Sequence, residues 1–142
     1  QEYYIHWISE KNTLHAHLRL TLNHGYSGIA MNVLKDSAII REVHTYGKTK
    51  KVGDKSKTDA AQHKGLGMKL IEKAEEIALD NGYYKMAVIS GVGVRQYYSR
   101  KCGYKYSDTY MVKDLTWQYY WREFINFPWW TVILLFAVFY YL

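Results

Sequence analysis

QHKGLGMKLIEKAEEIALD, residues 62–80, decides the fold. From residue 68 to 80 the apolar positions Leu70, Ile71, Ala74, Ile77 and Ala78 fall on one helical face, while Lys69, Glu72, Lys73, Glu75 and Glu76 populate the others. Asn81-Gly82 stops the helix, since either residue tolerates the left-handed cap conformation. Gly65 and Gly67 precede it and let the backbone approach a ligand with no side chain in the way. The unpaired N–H groups of the first turn point at whatever lies there, and the helix dipole favours an anion. Residues 62–68 are therefore a candidate phosphate or pyrophosphate site. The segment lacks the third glycine of a dinucleotide fingerprint and the Gly-Lys-Ser/Thr ending of a P-loop. Nucleotide oxidoreductases and P-loop hydrolases are disfavoured accordingly.

Upstream, Leu14, Ala16, Leu18, Leu20 and Leu22 alternate with His15, His17, Arg19 and Thr21, the period of a half-buried strand. Residues 4–9 form its partner, with Glu10-Lys11-Asn12 at the turn. His15 and His17 share a face and invite a metal reading, but no third ligand is in sight, so a solvated polar face is expected. Residues 23–36, with Gly25 and Gly28, suggest a loop, and SAIIREVHTY (37–46) is a further strand stopped by Gly47. Residues 48–61 hold Lys48, Lys50, Lys51, Lys55 and Lys57 and almost nothing apolar, a long basic loop of the functional or disordered kind. Downstream, KMAVIS (85–90) suits a strand buried on both faces. A short helix over 94–101 ends at Cys102-Gly103, and 104–115 returns as one or two final strands. The order makes an α/β layer protein around one sheet.

At 142 residues the chain supports one compact core and not two ordinary domains. A net charge of +6 suits anionic partners or simple solubility, and both readings stay open. The single Cys102 excludes an internal disulfide or a cysteine cluster in this chain and is compatible with a reducing compartment. The sequence opens on Gln1, which suits a piece of something longer and leaves no leader to be judged.

Gln-x-x-Gly-x-Gly after a central strand resembles the coenzyme A pyrophosphate loop of the GNAT superfamily of N-acetyltransferases. REVHTYG (41–47), QHKGLGMKLIEKAEEIA (62–78), AVISGVGVRQYYSRKCGY (87–104) and YMVKDL (110–115) resemble, in this order, the end of the Elongator catalytic subunit. The hairpin around Leu18-Arg19-Leu20 belongs with them. The resemblance implies a mixed central sheet with flanking helices and acetyl-CoA in a gap between two splayed parallel strands. It implies that Glu42, Val43, His44 and Thr45 hold the pantetheine through backbone groups, and that Gln62, Lys64, Gly65, Leu66, Gly67 and Met68 hold the pyrophosphate. Tyr97 and Tyr98 match the family's tyrosine pair. Tyr98 is expected to contact the cofactor and to donate a proton to a departing thiolate, with Tyr97 a second catalytic candidate. The alternative is that one or both merely pack, as most of the 15 tyrosines must. Glu42 also reads as an inward-facing strand carboxylate able to act as general base, although a backbone contact there requires no particular side chain.

The same resemblance implies tRNA as partner, carboxymethylation of its wobble uridine, and other Elongator subunits as further partners. It assigns carbon–carbon bond formation to a radical S-adenosylmethionine domain with an iron–sulfur cluster, in an N-terminal portion absent from this sequence. The basic loop fits contacts to tRNA phosphates, with a solvated loop as the alternative.

The 19 residues 124–142 carry no charge, and as a helix would rise about 28 Å against a hydrocarbon core of roughly 30 Å. Trp117, Tyr119, Tyr120 and Trp121 precede them, Trp129 and Trp130 lie near their start, and Tyr140 and Tyr141 close them, like aromatic belts at two interfaces. The expected organisation is an acetyltransferase domain over 1–115, a juxtamembrane linker over 116–123 and a transmembrane tail anchor over 124–142. A buried core helix is the alternative for the tail. Lys113 and Arg122 flank only its N-terminal side, which puts the catalytic domain in the cytosol. The tail resembles that of apicomplexan relatives, which implies the mitochondrial outer membrane first and the endoplasmic reticulum second. Two other functions stay open: acetylation of protein lysines, and a membrane-tethered module that binds acetyl-CoA or tRNA without turnover.

Overall fold

The computed structural model describes residues 1–22, 32–46 and 65–128. β1 (Glu2–Ile8) and β2 (Leu14–Leu22) form a hairpin whose turn places Asn12 at φ 58°, a conformation that asparagine tolerates. A 3-10 turn at Asn32–Leu34 leads into β3 (Ala38–Thr45). α1 (Leu66–Asp80), β4 (Lys85–Val88), a 3-10 turn (Val92–Val94) and α2 (Arg95–Cys102) follow. β5 (Lys105–Ser107), β6 (Tyr110–Asp114) and α3 (Thr116–Asn126) complete the described chain. The strands make one six-stranded sheet in the order β1-β2-β3-β4-β6-β5. All its neighbours are antiparallel except β3 and β4.

Side-chain alternation sorts the sheet into two faces. Ala16, Leu18, Leu20 and Leu22 of β2, Ala38 and Ile40 of β3, and Met86 and Val88 of β4 are buried in one cluster with Leu66, Leu70, Ile71, Ala74 and Ala78 of α1 and Tyr98 and Cys102 of α2. Both helices therefore cover the same face. On the other, Ile39 and Ala87 pack with Leu34, so β4 is buried on both sides, as its apolar run anticipates.

The structure shifts several boundaries for local reasons. α1 begins at Leu66, because Gly65 takes φ 102° and turns the chain into the helix. At its other end Gly82, at φ 78°, supplies the left-handed residue, while Asn81 stays at φ −102° and bonds the Ile77 carbonyl through its side chain. Gly103, also at φ 78°, ends α2. Glu75, placed by periodicity on an outer face of α1, is instead 4% exposed. Its carboxylate accepts from Tyr104 Oη at 2.8 Å, Lys113 Nζ at 2.8 and 2.9 Å and Gln118 Nε2 at 3.1 Å.

Residues 116–123, expected to be a linker, lie in α3, which is docked on the domain. Gln118 bonds Glu75, and Arg122 Nη1 donates to Asp80 Oδ1 at 2.6 Å. α3 runs three residues past the expected boundary, and Phe127 then leaves the helical region at φ −63°, ψ 132°. Pro128 accounts for this, since a proline disfavours the α conformation in the residue before it. Among the described residues no helix is long and apolar enough to cross a membrane. Residues 129–142 of the expected span, and the basic loop 48–61, lie outside the described residues.

Candidate functional site

The parallel pair β3–β4 is short. Ala38, Ile39 and Ile40 pair with Met86, Ala87 and Val88, and the last rung is Ile89 N–H donating to the Ile40 carbonyl at 3.1 Å. Beyond it β3 runs on through Arg41, Glu42, Val43, His44 and Thr45, paired only with β2 among the described residues. The chain after β4 turns away into the 3-10 turn at Val92–Val94 and then α2. The two strands thus splay, and the β4-facing edge of residues 41–45 borders a gap. A ligand with an amide chain fits such an edge, because exposed strand N–H and C=O groups seek partners.

The register of β3 shifts at the same place. Leu20 faces Ile40 but Arg19 faces Glu42, so Arg41 is an extra residue in β3. Such a bulge changes the parity of every residue after it. Val43 consequently packs toward the α1 face with the main core. Glu42 and His44 turn to the opposite face, where Glu42 Oε1 lies 3.4 Å from Arg19 Nε and Oε2 lies 3.6 Å from His44 Nε2. The reading of Glu42 as an inward carboxylate is thereby corrected: its side chain is part-exposed and ion-paired to Arg19.

On the α1 face, three elements converge at the mouth of the gap. A methyl carbon built on Gly67 would stand 3.3 Å from Tyr97 Oη and 3.5 Å from Thr45 Cγ2, so the first turn of α1, the end of β3 and α2 meet there closely enough that a Cβ would press on the Tyr97 hydroxyl. Gly65, Leu66, Gly67 and Met68 lie at the N-terminus of α1, with its free N–H groups. Gln62, His63 and Lys64 lie outside the described residues. Ser90 Oγ, just past β4, and Arg95 Nε, at the start of α2, are buried without hydrogen-bond partners among the described residues.

The tyrosine pair divides. Tyr98 is 6% exposed and belongs to the core, edge-on to Tyr97 at 5.6 Å and to Tyr104 at 5.8 Å between ring centroids. Tyr97 is 38% exposed, and its hydroxyl is the one beside Gly67. Burial, and secondarily Cys102, pushes the Tyr98 phenol up to about 12. Burial raises Tyr97 to about 12 as well, with Cys102 as the next cause. Both therefore hold their protons at neutral pH.

His17, expected to be solvated, is 8% exposed. The rings of Tyr4, His44 and Tyr46 stand 5.0, 5.1 and 5.7 Å from it. Sequence reasoning could not place these neighbours, because two of the three lie on β3 or just beyond it, on the far side of residues 23–36.

No family model matches the chain. Elongator complex protein 3 of Danio rerio is 51% identical over 79 residues, 55% of this chain and 14% of that protein. A tRNA uridine(34) acetyltransferase of Methanocaldococcus jannaschii is 39% identical over 97 residues, 68% of this chain and 18% of that protein. Among solved structures, the archaeal Elp3 of Methanocaldococcus infernus with an N-terminal deletion matches at TM-score 0.58 and 32% identity, covering 80% of this chain and 26% of that one. An N-acetyltransferase of Thermoplasma acidophilum solved with coenzyme A shares the fold at TM-score 0.51 and 20% identity, over 80% of this chain and 60% of that one. The chain thus spans about a seventh of the curated Elongator relatives it matches. It carries a GNAT-like mixed α/β fold and matches the C-terminal region of Elongator complex protein 3 and the tRNA uridine(34) acetyltransferases.

Proposed function

We propose that this chain is the acetyl-CoA-binding acetyltransferase domain of an enzyme that modifies the wobble uridine of tRNA. The observation that carries the reading is the splay of β3 from β4 beyond Ile40 and Val88, closed at one side by Gly67, Thr45 and Tyr97. The residues fit the cofactor: Gly67 leaves a cradle that a Cβ would fill, and Ser90 Oγ and Arg95 Nε are buried without hydrogen-bond partners among the described residues. Backbone groups of Glu42, Val43, His44 and Thr45 would hold the pantetheine amides, and the N-terminus of α1 would hold the pyrophosphate. Acetyl-CoA, when bound, supplies an activated acetyl group as a thioester. Tyr97 holds a proton at its Oη beside Gly67, with its phenol raised to about 12, and is the nearer general acid for a departing thiolate. Tyr98 backs it from the core. tRNA as acceptor, and association with other Elongator subunits, are carried over from the relatives' names.

The test is consumption of the acetyl-CoA thioester by the 142-residue chain, with and without tRNA, beside Tyr97→Phe and Tyr98→Phe. Turnover that rises with tRNA and falls roughly 10²-fold in Tyr97→Phe supports the reading. Loss confined to Tyr98→Phe would move the acid to the buried ring. If full-length wild-type enzyme consumed no acetyl-CoA under tRNA, the enzymatic reading would fail.

A second proposal concerns the membrane. Trp117, Tyr120, Trp121, Phe124 and Ile125 recur at helical spacing on α3, and all are exposed. This helix docks through Tyr119, Gln118 and Arg122 and leaves a broad aromatic face outward, more apolar than the outer face of an ordinary surface helix. An aromatic face of this kind suits the bilayer interface, and the uncharged stretch that follows suits insertion. On this proposal α3 lies along the surface of a cytosol-facing membrane, that of the mitochondrion or the endoplasmic reticulum.

A further inference from the structure

His17, Glu42 and His44 come from two neighbouring strands, and one ligand atom from each lies within 4.8 Å of the other two. We propose that they form a binding site for a single divalent cation of the zinc type. The donor set is two imidazoles and one carboxylate, the borderline nitrogen-and-oxygen combination that suits zinc, with room for a fourth ligand. Three features of the fold arrange it.

The bulge at Arg41 is the first. Without it, Glu42 and His44 would follow the parity of Ile40 onto the core face. With it, they stand across from Arg19 and His17, their partners in the β2 register. Glu42 and His44, two apart on one strand, then point the same way, with His17 directly across from His44.

Orientation is the second. The Tyr46 hydroxyl lies 3.2 Å from His17 Nδ1. With the Nδ1–H donating to that oxygen, Nε2 keeps its lone pair for a cation, the arrangement that fixes the tautomer of a ligating histidine. Stacking of Tyr4 on His17 at 5.0 Å holds the ring plane. Arg19 Nε, 3.4 Å from Glu42 Oε1, engages one carboxylate oxygen and leaves Oε2 directed at His44. The Arg19 charge also opposes a cation, so the affinity expected is micromolar rather than that of a structural zinc site.

The third is the gradient of exposure. His17 is buried, while the His44 side chain is 57% exposed, so the site has a floor and an open side. The fourth position lies on that open side, where a water or an anionic oxygen completes the shell. The site is on the sheet face opposite Tyr97 and does not depend on the acetyl-CoA reading.

The experiment titrates zinc ion into the full 142-residue chain against a chromophoric chelator, with the bound metal counted after desalting. One zinc per chain in the micromolar range is expected, unchanged in His6→Ala, whose ring lies on the same face outside the triad. His44→Ala, which truncates an exposed side chain and leaves the fold intact, and His17→Gln are each expected to weaken binding by more than the roughly 10-fold that loss of an outer partner costs a metal site. No stoichiometric zinc at a hundred micromolar would overturn the proposal. So would binding retained in both His44→Ala and His17→Gln, which would place the metal on His15, His24 or His63 instead.

Discussion

Gly65 and Gly67 stand two residues apart and answer to different constraints. Gly65 holds φ 102° with nothing within 4 Å of a built Cβ, so its requirement is conformational. Gly67 has no such angle, but its Cβ would press on Tyr97 Oη, so its requirement is spatial. Gly65→Ala is therefore expected to lower stability by about 1–2 kcal/mol, read by urea unfolding. In Gly67→Ala the gain in helix propensity, about 1 kcal/mol, offsets the displacement of Tyr97. Stability is expected to hold while acetyl-CoA binding weakens, and the reverse pattern would contradict a ligand approach at this backbone. The glycine pair was legible in the sequence because its spacing before a helix is a local signal. The difference in burial between Tyr97 and Tyr98 was not. Adjacent helical residues point about 100° apart, and the phase of α2 is set by packing of Tyr98 and Cys102 into the core shared with α1 and the sheet, which the local sequence does not announce.

Among the elements, α1 was read to its last residue and two residues short at its start, since a period of 3.6 over 68–80 ended by Asn-Gly leaves little choice. What periodicity could not show is that Glu75 lies inside. Its three partners come from β5's approach, β6 and α3, and no local pattern announces a carboxylate whose donors lie 29, 38 and 43 residues away. Removing it strands the Lys113 ammonium, whose side chain is 19% exposed, and orphans the buried Tyr104 hydroxyl. Glu75→Ala is expected to cost about 3–5 kcal/mol, the range for breaking a buried ion pair on one side. It should also loosen α3, visible as faster amide exchange over residues 116–126, because Gln118 loses its acceptor. Glu76→Ala, which breaks the exposed pair with Lys73, is the control and should leave the unfolding midpoint unchanged. Equal effects of the two substitutions would refute the structural role given to Glu75. The bulge in β3 was equally hidden: SAIIREVHTY reads as a plain strand, and only pairing with β2 reveals the extra residue.

For the molecule as a whole, a mixed sheet with flanking helices followed from the sequence through the resemblance, while the strand order and the outward aromatic face of α3 did not, because an aromatic run tells nothing of which side a domain will occupy. Two consequences belong at this scale. Burial raises Tyr97 and Tyr98 to about 12 and Tyr104 well above its ordinary value. Between pH 10 and 12 the unfolded chain loses these protons and the folded chain keeps them, so stability is expected to fall with rising pH across that window and to be flat below it. Tyr104→Phe should make the fall shallower in urea titrations taken at successive pH values. The second consequence concerns the apolar face of α3. If it rests on a bilayer, the full chain should float with neutral phosphatidylcholine vesicles, and Trp117→Ser with Trp121→Ser should reduce the blue shift of tryptophan emission on lipid addition, leaving only the part contributed by Trp7, Trp129 and Trp130. Deleting residues 129–142 should abolish stable flotation while leaving a weaker, salt-insensitive association through α3, because burial of aromatic side chains does not depend on ionic strength as contacts to lipid phosphate do. Association lost entirely in the double serine variant would make α3 the principal contact. Association unchanged in that variant and in the deletion would remove α3 from the membrane and leave its aromatic face to another partner.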